Sequence, residues 1–128
     1  MSSRILILDD DEDFLELLSY SFQHAGYEVA TVSSPHDVTA LIREFRPELI
    51  ILDLHLAGMD GVAVCEGIRS VEIMAGVPIL FLTGCTSESV RMEALDKGGT
   101  DYMFKPVSPR DLVQKVRELL ASLKTQAA

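Results

Sequence analysis

Cysteine is scarce: Cys65 and Cys85 are the only two in 128 residues, and they lack the Cys-x-x-Cys spacing of a redox or zinc motif. A domain of this size needs no disulfide staple, so both are expected as free thiols in a reducing cytoplasm. Basic residues are also few, eleven Lys and Arg against twenty Asp and Glu, for a formal charge of −9. The average surface therefore repels phosphate backbones and anionic lipid, which argues against direct nucleic-acid or membrane-surface binding. Long apolar runs are missing as well. The longest, residues 49–52 and 77–82, are strand-length and far below the roughly 18 residues that cross a bilayer, so no membrane span is expected. Ahead of the first acidic run stand one base, Arg4, and four apolar residues, too little for a secretory signal. Repeats, low-complexity segments and Pro/Ser-rich linkers are absent, and the length suits one domain over residues 1–128, with a core from about 4 to 123 and no second output domain.

What the chain does contain is alternation. Hydrophobic residues make up 48% and charged residues 24%, the balance of a chain that packs a core. Short apolar runs suited to fully buried strands occur at residues 5–8, 29–32, 49–52 and 79–82, with a shorter one at 102–104. Helix-length segments lie between them. The first puts Phe14, Leu17, Leu18 and Phe22 on one face and stops at Gly26. Ser34-Pro35 opens the second, where Val38, Leu41, Ile42 and Phe45 repeat until Pro47. A third follows Gly61 with Val62, Cys65 and Ile68 inward, and a fourth spans residues 87–97 and ends at Gly98-Gly99. In the fifth, Ser108 caps, Pro109 opens, and Leu112, Val116, Leu119 and Leu123 form the stripe; residues 124–128 read as a frayed end. Five strands alternating with five helices predict βαβ units and a doubly wound α/β fold around a five-stranded parallel sheet, flavodoxin-like, of order 2-1-3-4-5. Ligands of such sheets bind at the carboxyl ends of the strands.

The residues just past each apolar run are therefore the informative ones. Strand one ends in five acids, Asp9 to Asp13. Such a block is usually a solvated tail, but here it is wedged between a buried strand and an amphipathic helix, so part of its charge must sit at the top of the sheet. A helix N-terminus offsets about 0.3–1 kcal/mol per well-placed acid, and a divalent cation far more. Strand three ends in Asp53, which alone would be an ordinary turn-starting acid. Strands one and three are expected neighbours, which gathers Asp9, Asp10 and Asp53 in one crevice. Hard oxygen ligands with room for water suit Mg²⁺, or Mn²⁺; the alternate ligands and central glycine of a calcium loop are missing. Strand four ends in Thr83-Gly84 and strand five in Lys105-Pro106, an X-Pro bond that either isomer would fit. Singly, a threonine or lysine there is a surface residue. Together the set reads as a phosphoryl-transfer site: a carboxylate nucleophile, a metal, a hydroxyl and an ammonium. A carboxylate phosphatase would want a second Asp two residues past the nucleophile, and position 55 is His.

At this point the chain resembles the receiver domain of two-component response regulators, of the chemotaxis-regulator type, over residues 4 to 123. The resemblance rests on Ile5-Leu6-Ile7-Leu8-Asp9-Asp10, on Leu52-Asp53-Leu54 followed by Gly58-Met59-Asp60-Gly61, on Thr83-Gly84 and on Tyr102-x-x-Lys105-Pro106. It implies that Asp53 accepts phosphate from a sensor histidine kinase or phosphotransfer protein. It also implies that Asp10 ligates Mg²⁺ directly and Asp9 mainly through water, and that Asp53 and the backbone carbonyl of His55 complete the protein ligands. Lys105 would pair with the phosphoryl group and Thr83 would move towards it. Tyr102 would then turn inward and remodel the surface of helix four, strand five and helix five for a downstream protein or output domain. In its inactive state Tyr102 would look like any half-buried strand tyrosine. The expected role is regulatory, a cytoplasmic switch with no turnover beyond its own phosphorylation and dephosphorylation.

Departures from the family pattern are Ala57, where a proline is common, Val107, where an aromatic is common, and His55 and Cys85, at positions that modulate phosphate hydrolysis. His24 and His36 are expected in solvent. Met59, Met74, Met92 and Met103 read as packing and loop residues, and Glu88, Arg91, Glu93 and Lys97 as the solvated side of helix four. Two alternatives differ in class: a pseudo-receiver that binds proteins without phosphate control, and a small phosphatase, which turnover of a generic phosphomonoester would reveal.

Overall fold

The computed structural model describes residues 3–34, 38–56, 59–84 and 87–127. Strands β1 (Arg4–Leu8), β2 (Glu28–Val32), β3 (Leu49–Asp53), β4 (Ile79–Thr83) and β5 (Asp101–Phe104) form one parallel sheet of order β2-β1-β3-β4-β5. Helices α1 (Glu12–His24), α2 (Val38–Phe45), α3 (Gly61–Arg69), α4 (Glu88–Asp96) and α5 (Pro109–Ala127) alternate with the strands. A short antiparallel ribbon pairs His55–Leu56 with Met59–Asp60, and a 3-10 turn covers Glu72–Met74. The doubly wound architecture expected from the alternation is the one observed. The ribbon and the 3-10 turn are too short to leave a periodic signal.

Because successive strand side chains point to opposite faces, the central strands feed two separate cores. Leu6, Leu8, Ile50, Leu52, Ile79 and Phe81 pack under α2, α3 and α4. Ile5, Ile7, Leu49, Ile51, Leu80 and Leu82 pack under α1 and α5. Each such burial is worth about 1.5–3 kcal/mol, which is why β1, β3 and β4 read as unbroken apolar runs. The outer strands β2 and β5 are only partly covered, which corrects the expectation of full burial: an edge strand has a neighbour on one side only. In α1 the buried residues are Leu15, Leu18 and Phe22, whereas Leu17 is exposed and Phe14 half-buried. Leu18 and Phe22 are buried as expected and Phe14 packs at the margin, so the stripe differs from the expected one only in taking Leu15 rather than Leu17.

The Ser108 cap and the glycine ends of α1 and α4 act as the sequence suggests, and two aspartates add caps that it had not named. Asp11 caps α1 by accepting from the Phe14 N–H, Asp60 caps α3 by accepting from the Val62 N–H, and the Ser108 hydroxyl accepts from the Asp111 N–H at the start of α5. Gly26 and Gly98 adopt positive φ beyond the ends of α1 and α4. Pro35 and His36, expected at the start of α2, lie outside the described residues, as do Ala57, Gly58 and Cys85.

Candidate functional site

The strand register assembles the site. Leu8 lies opposite Leu52, so the next residues, Asp9 and Asp53, leave β1 and β3 level with one another. Asp53 pairs with Leu82, and Thr83 with Phe104, which sets Thr83 and Lys105 on the same carboxyl edge. One carboxylate oxygen from each of Asp9, Asp10 and Asp53 lies within 4.8 Å of the others. Asp9 is 0% exposed and Asp53 5%, while Asp10 faces solvent. From the end of β5, the Lys105 ammonium donates to Asp9 Oδ2 at 2.7 Å and to Asp53 Oδ2 at 3.3 Å. The Lys105-Pro106 bond is cis.

Backbone donors hold the remaining carboxylate oxygens. The Asp11 N–H donates to Asp9 Oδ1 at 3.0 Å and the His55 N–H to Asp53 Oδ1 at 3.1 Å. Burial pushes the Asp53 carboxyl above the usual carboxylate range; the His55 N–H and the Lys105 charge pull it back, and the Asp9 charge pushes it up again. Burial alone would depress the Lys105 ammonium, but its hydrogen bonds and charge contacts with Asp9 and Asp53 outweigh that and raise its pKa. In ionised form, three carboxylates against one ammonium leave two negative charges in a half-closed crevice, so the donor set fits a hard divalent cation. The exposed Asp10 leaves that position open to water.

Thr83 is buried at the end of β4, and its carbonyl accepts the Lys105 N–H at 2.8 Å. Tyr102 is half-buried in β5, edge-on to Phe104 at 5.3 Å, with the Arg91 guanidinium 4.8 Å above its ring. Arg91, expected on a fully solvated face, is therefore half-covered. The His55 side chain is exposed at the rim.

Residues 5–117 match the response regulator receiver domain. The chain belongs to the response regulator receiver domain family. It is 37% identical over 120 residues to the alkaline phosphatase synthesis transcriptional regulatory protein PhoP of Bacillus subtilis, covering 94% of this chain and 49% of that one. The DNA-binding response regulator MtrA of Mycolicibacterium smegmatis is 38% identical over 120 residues, 94% of this chain and 51% of that one. The chain thus spans about half the length of the curated relatives it matches. Among solved structures, a CheY-like response regulator receiver domain protein from Methanospirillum hungatei superposes with a TM-score of 0.90 at 29% identity, covering 98% of this chain and 99% of that one.

As a receiver domain of two-component systems, the chain is regulatory in kind, and none of its described helices is long and apolar enough to cross a membrane. Several of its contacts escape sequence reasoning. The Arg69 guanidinium, at the end of α3, donates to the carbonyls of Gly98, Met74 and Val77 and so ties α3 to the end of α4 and to the entry of β4. The Phe14 ring lies 5.1 Å from the Lys105 ammonium. An Asp before each helix could have flagged the Asp11 and Asp60 caps; no local pattern marks the partners of Arg69 or Phe14, because they come from distant parts of the chain.

Proposed function

We propose that this receiver domain is a phosphorylation-controlled switch in which Asp53 takes a phosphoryl group from a phosphohistidine on a sensor kinase or phosphotransfer protein. The observation that carries the reading is the convergence of Asp9, Asp10, Asp53 and Lys105 at one sheet edge. An Asp53 carboxylate oxygen attacks phosphorus, a P–O bond forms, and the P–N bond to the donor imidazole breaks with its electron pair leaving on nitrogen. The Lys105 charge and the His55 N–H favour the ionised carboxylate that attack requires, and burial makes that carboxylate more basic. Asp10, Asp9, Asp53 and the backbone carbonyl of His55 would hold Mg²⁺ or Mn²⁺, which, when bound, neutralises phosphoryl oxygens. Lys105 then binds a phosphoryl oxygen, and Thr83 and Tyr102 respond as the switch, the latter leaving the Arg91 and Phe104 contacts and altering the α4, β5 and α5 surface.

The domain covers residues 1–128, works in the cytoplasm and addresses a downstream protein or output domain rather than nucleic acid itself, in keeping with its charge of −9. The length of PhoP and MtrA supports an output domain in a longer parent protein. Incubation with Mg²⁺ and acetyl phosphate should add the mass of one phosphoryl group, and fluoroberyllate should perturb the amide spectrum around Thr83 and Tyr102. Both effects should vanish in Asp53→Asn. A wild-type chain indifferent to both reagents would leave the pseudo-receiver reading in place, and many turnovers of a phosphomonoester would favour the phosphatase.

A further inference from the structure

Phe14 sits on the first turn of α1, half-buried at the margin of the α1–α5 core. With Asp11, Lys105, Pro106 and Val107 it lines a cavity of about 400 Å³ beside the acidic cluster. The Lys105 ammonium makes three contacts there: Asp9 at 2.7 Å, Asp53 at 3.3 Å, and the Phe14 ring at 5.1 Å from its centroid. The distances are unequal, the closer carboxylate being that of Asp9, and the ring is the uncharged one of the three groups around the ammonium. An aromatic ring within about 6 Å attracts a cation through its quadrupole and presents no lone pair to compete with phosphoryl oxygens.

We infer that Phe14 is a positioning residue for the phosphoryl transfer, its ring holding the Lys105 ammonium beside Asp53 by a cation–π contact. This rests on the reading of Asp53 as phosphoacceptor. The ring is fixed through the same acidic loop that builds the site: the Phe14 N–H donates to Asp11 Oδ1 at 3.1 Å, and the Asp11 N–H donates to Asp9 Oδ1 at 3.0 Å. The contact does not depend on the charge of Asp53, so it persists when that carboxylate becomes an acyl phosphate. Restricting a flexible lysine in advance lowers the ordering that the transition state demands. The competing account is that Phe14 merely fills the edge of the core, a task a leucine performs equally well.

The two accounts separate in the rate of phosphorylation by acetyl phosphate at saturating Mg²⁺, measured alongside thermal unfolding. Phe14→Leu should slow the reaction about two- to fivefold, the equivalent of about 0.4–1 kcal/mol at 1.36 kcal/mol per decade. Phe14→Tyr should restore most of the rate, and stepwise ring fluorination at position 14 should slow it in proportion to the lost quadrupole. In a Lys105→Met background, Phe14→Leu should have no further effect. Wild-type rates in Phe14→Leu, indifference to fluorination, or an undiminished effect without Lys105 would each overturn the inference alone. A wild-type chain that takes up no phosphate would overturn the phosphoacceptor reading and this inference with it.

Discussion

Asp53 and Asp9 are acidic side chains that the fold withdraws from water, and burial raises the pKa of Asp53. A carboxyl whose folded pKa exceeds its unfolded value costs stability wherever it is ionised in the fold, and that cost disappears below the unfolded pKa. Asp53→Asn should therefore be more stable than wild type in metal-free urea titrations near pH 7, and the gain should shrink as the pH falls into the ordinary carboxylate range. An equal difference at pH 7 and at pH 4 would contradict this. Lys105 keeps its 2.7 Å partner Asp9 in that variant, so its ammonium is not stranded. The acids, Thr83 and Lys105 were legible in the sequence because each directly follows an apolar run, and a parallel sheet gathers such positions at one edge. Phe14 reads as a core residue in the sequence because nothing local links it to Lys105.

Gly61 opens α3 directly beneath the site, and a Cβ there would lie 2.6 Å from the Asp53 carbonyl oxygen and from Leu54 Cα, both backbone atoms. Gly61→Ala should destabilise by about 3 kcal/mol, measured as a shift in urea midpoint at constant m-value; a shift within 0.5 kcal/mol, the range of an ordinary surface substitution, would contradict the close approach. The Arg69 tie between α3, α4 and β4 is a second test. Arg69→Met removes the donors to Gly98, Met74 and Val77 and should cost about 1.5–3 kcal/mol, and amide exchange should speed up at the end of α4 before the rest of the sheet. Exchange that rises evenly would contradict a local tie. Periodicity placed all five helices and all five strands, yet it erred where a choice depended on neighbours. Leu15 and Leu17 are both apolar, and only the packing of α1 on the sheet selects Leu15. Likewise the apolar runs of β2 and β5 suggest full burial, whereas these strands, at the edges where the order 2-1-3-4-5 puts them, are only partly covered.

Across the protein as a whole, a formal charge of −9 makes every local concentration of acid expensive, and the crevice at the ends of β1 and β3 is the described place where three acidic residues come close enough to share an ion. Mg²⁺ at one hundred times its Kd should add about 2.7 kcal/mol to the unfolding free energy, and Asp10→Asn should remove most of that gain while leaving the metal-free stability little changed. Equal stabilisation of both proteins would place the ion elsewhere. The central claim is that these carboxylates converge around a cation and leave Asp53 to attack phosphorus. Its most direct test is borotritide reduction after treatment with Mg²⁺ and acetyl phosphate, which converts an aspartyl phosphate to labelled homoserine that sequencing can locate. The label should appear at position 53 alone and only with the metal present; label at position 9 or 10, or none at all, would contradict the account.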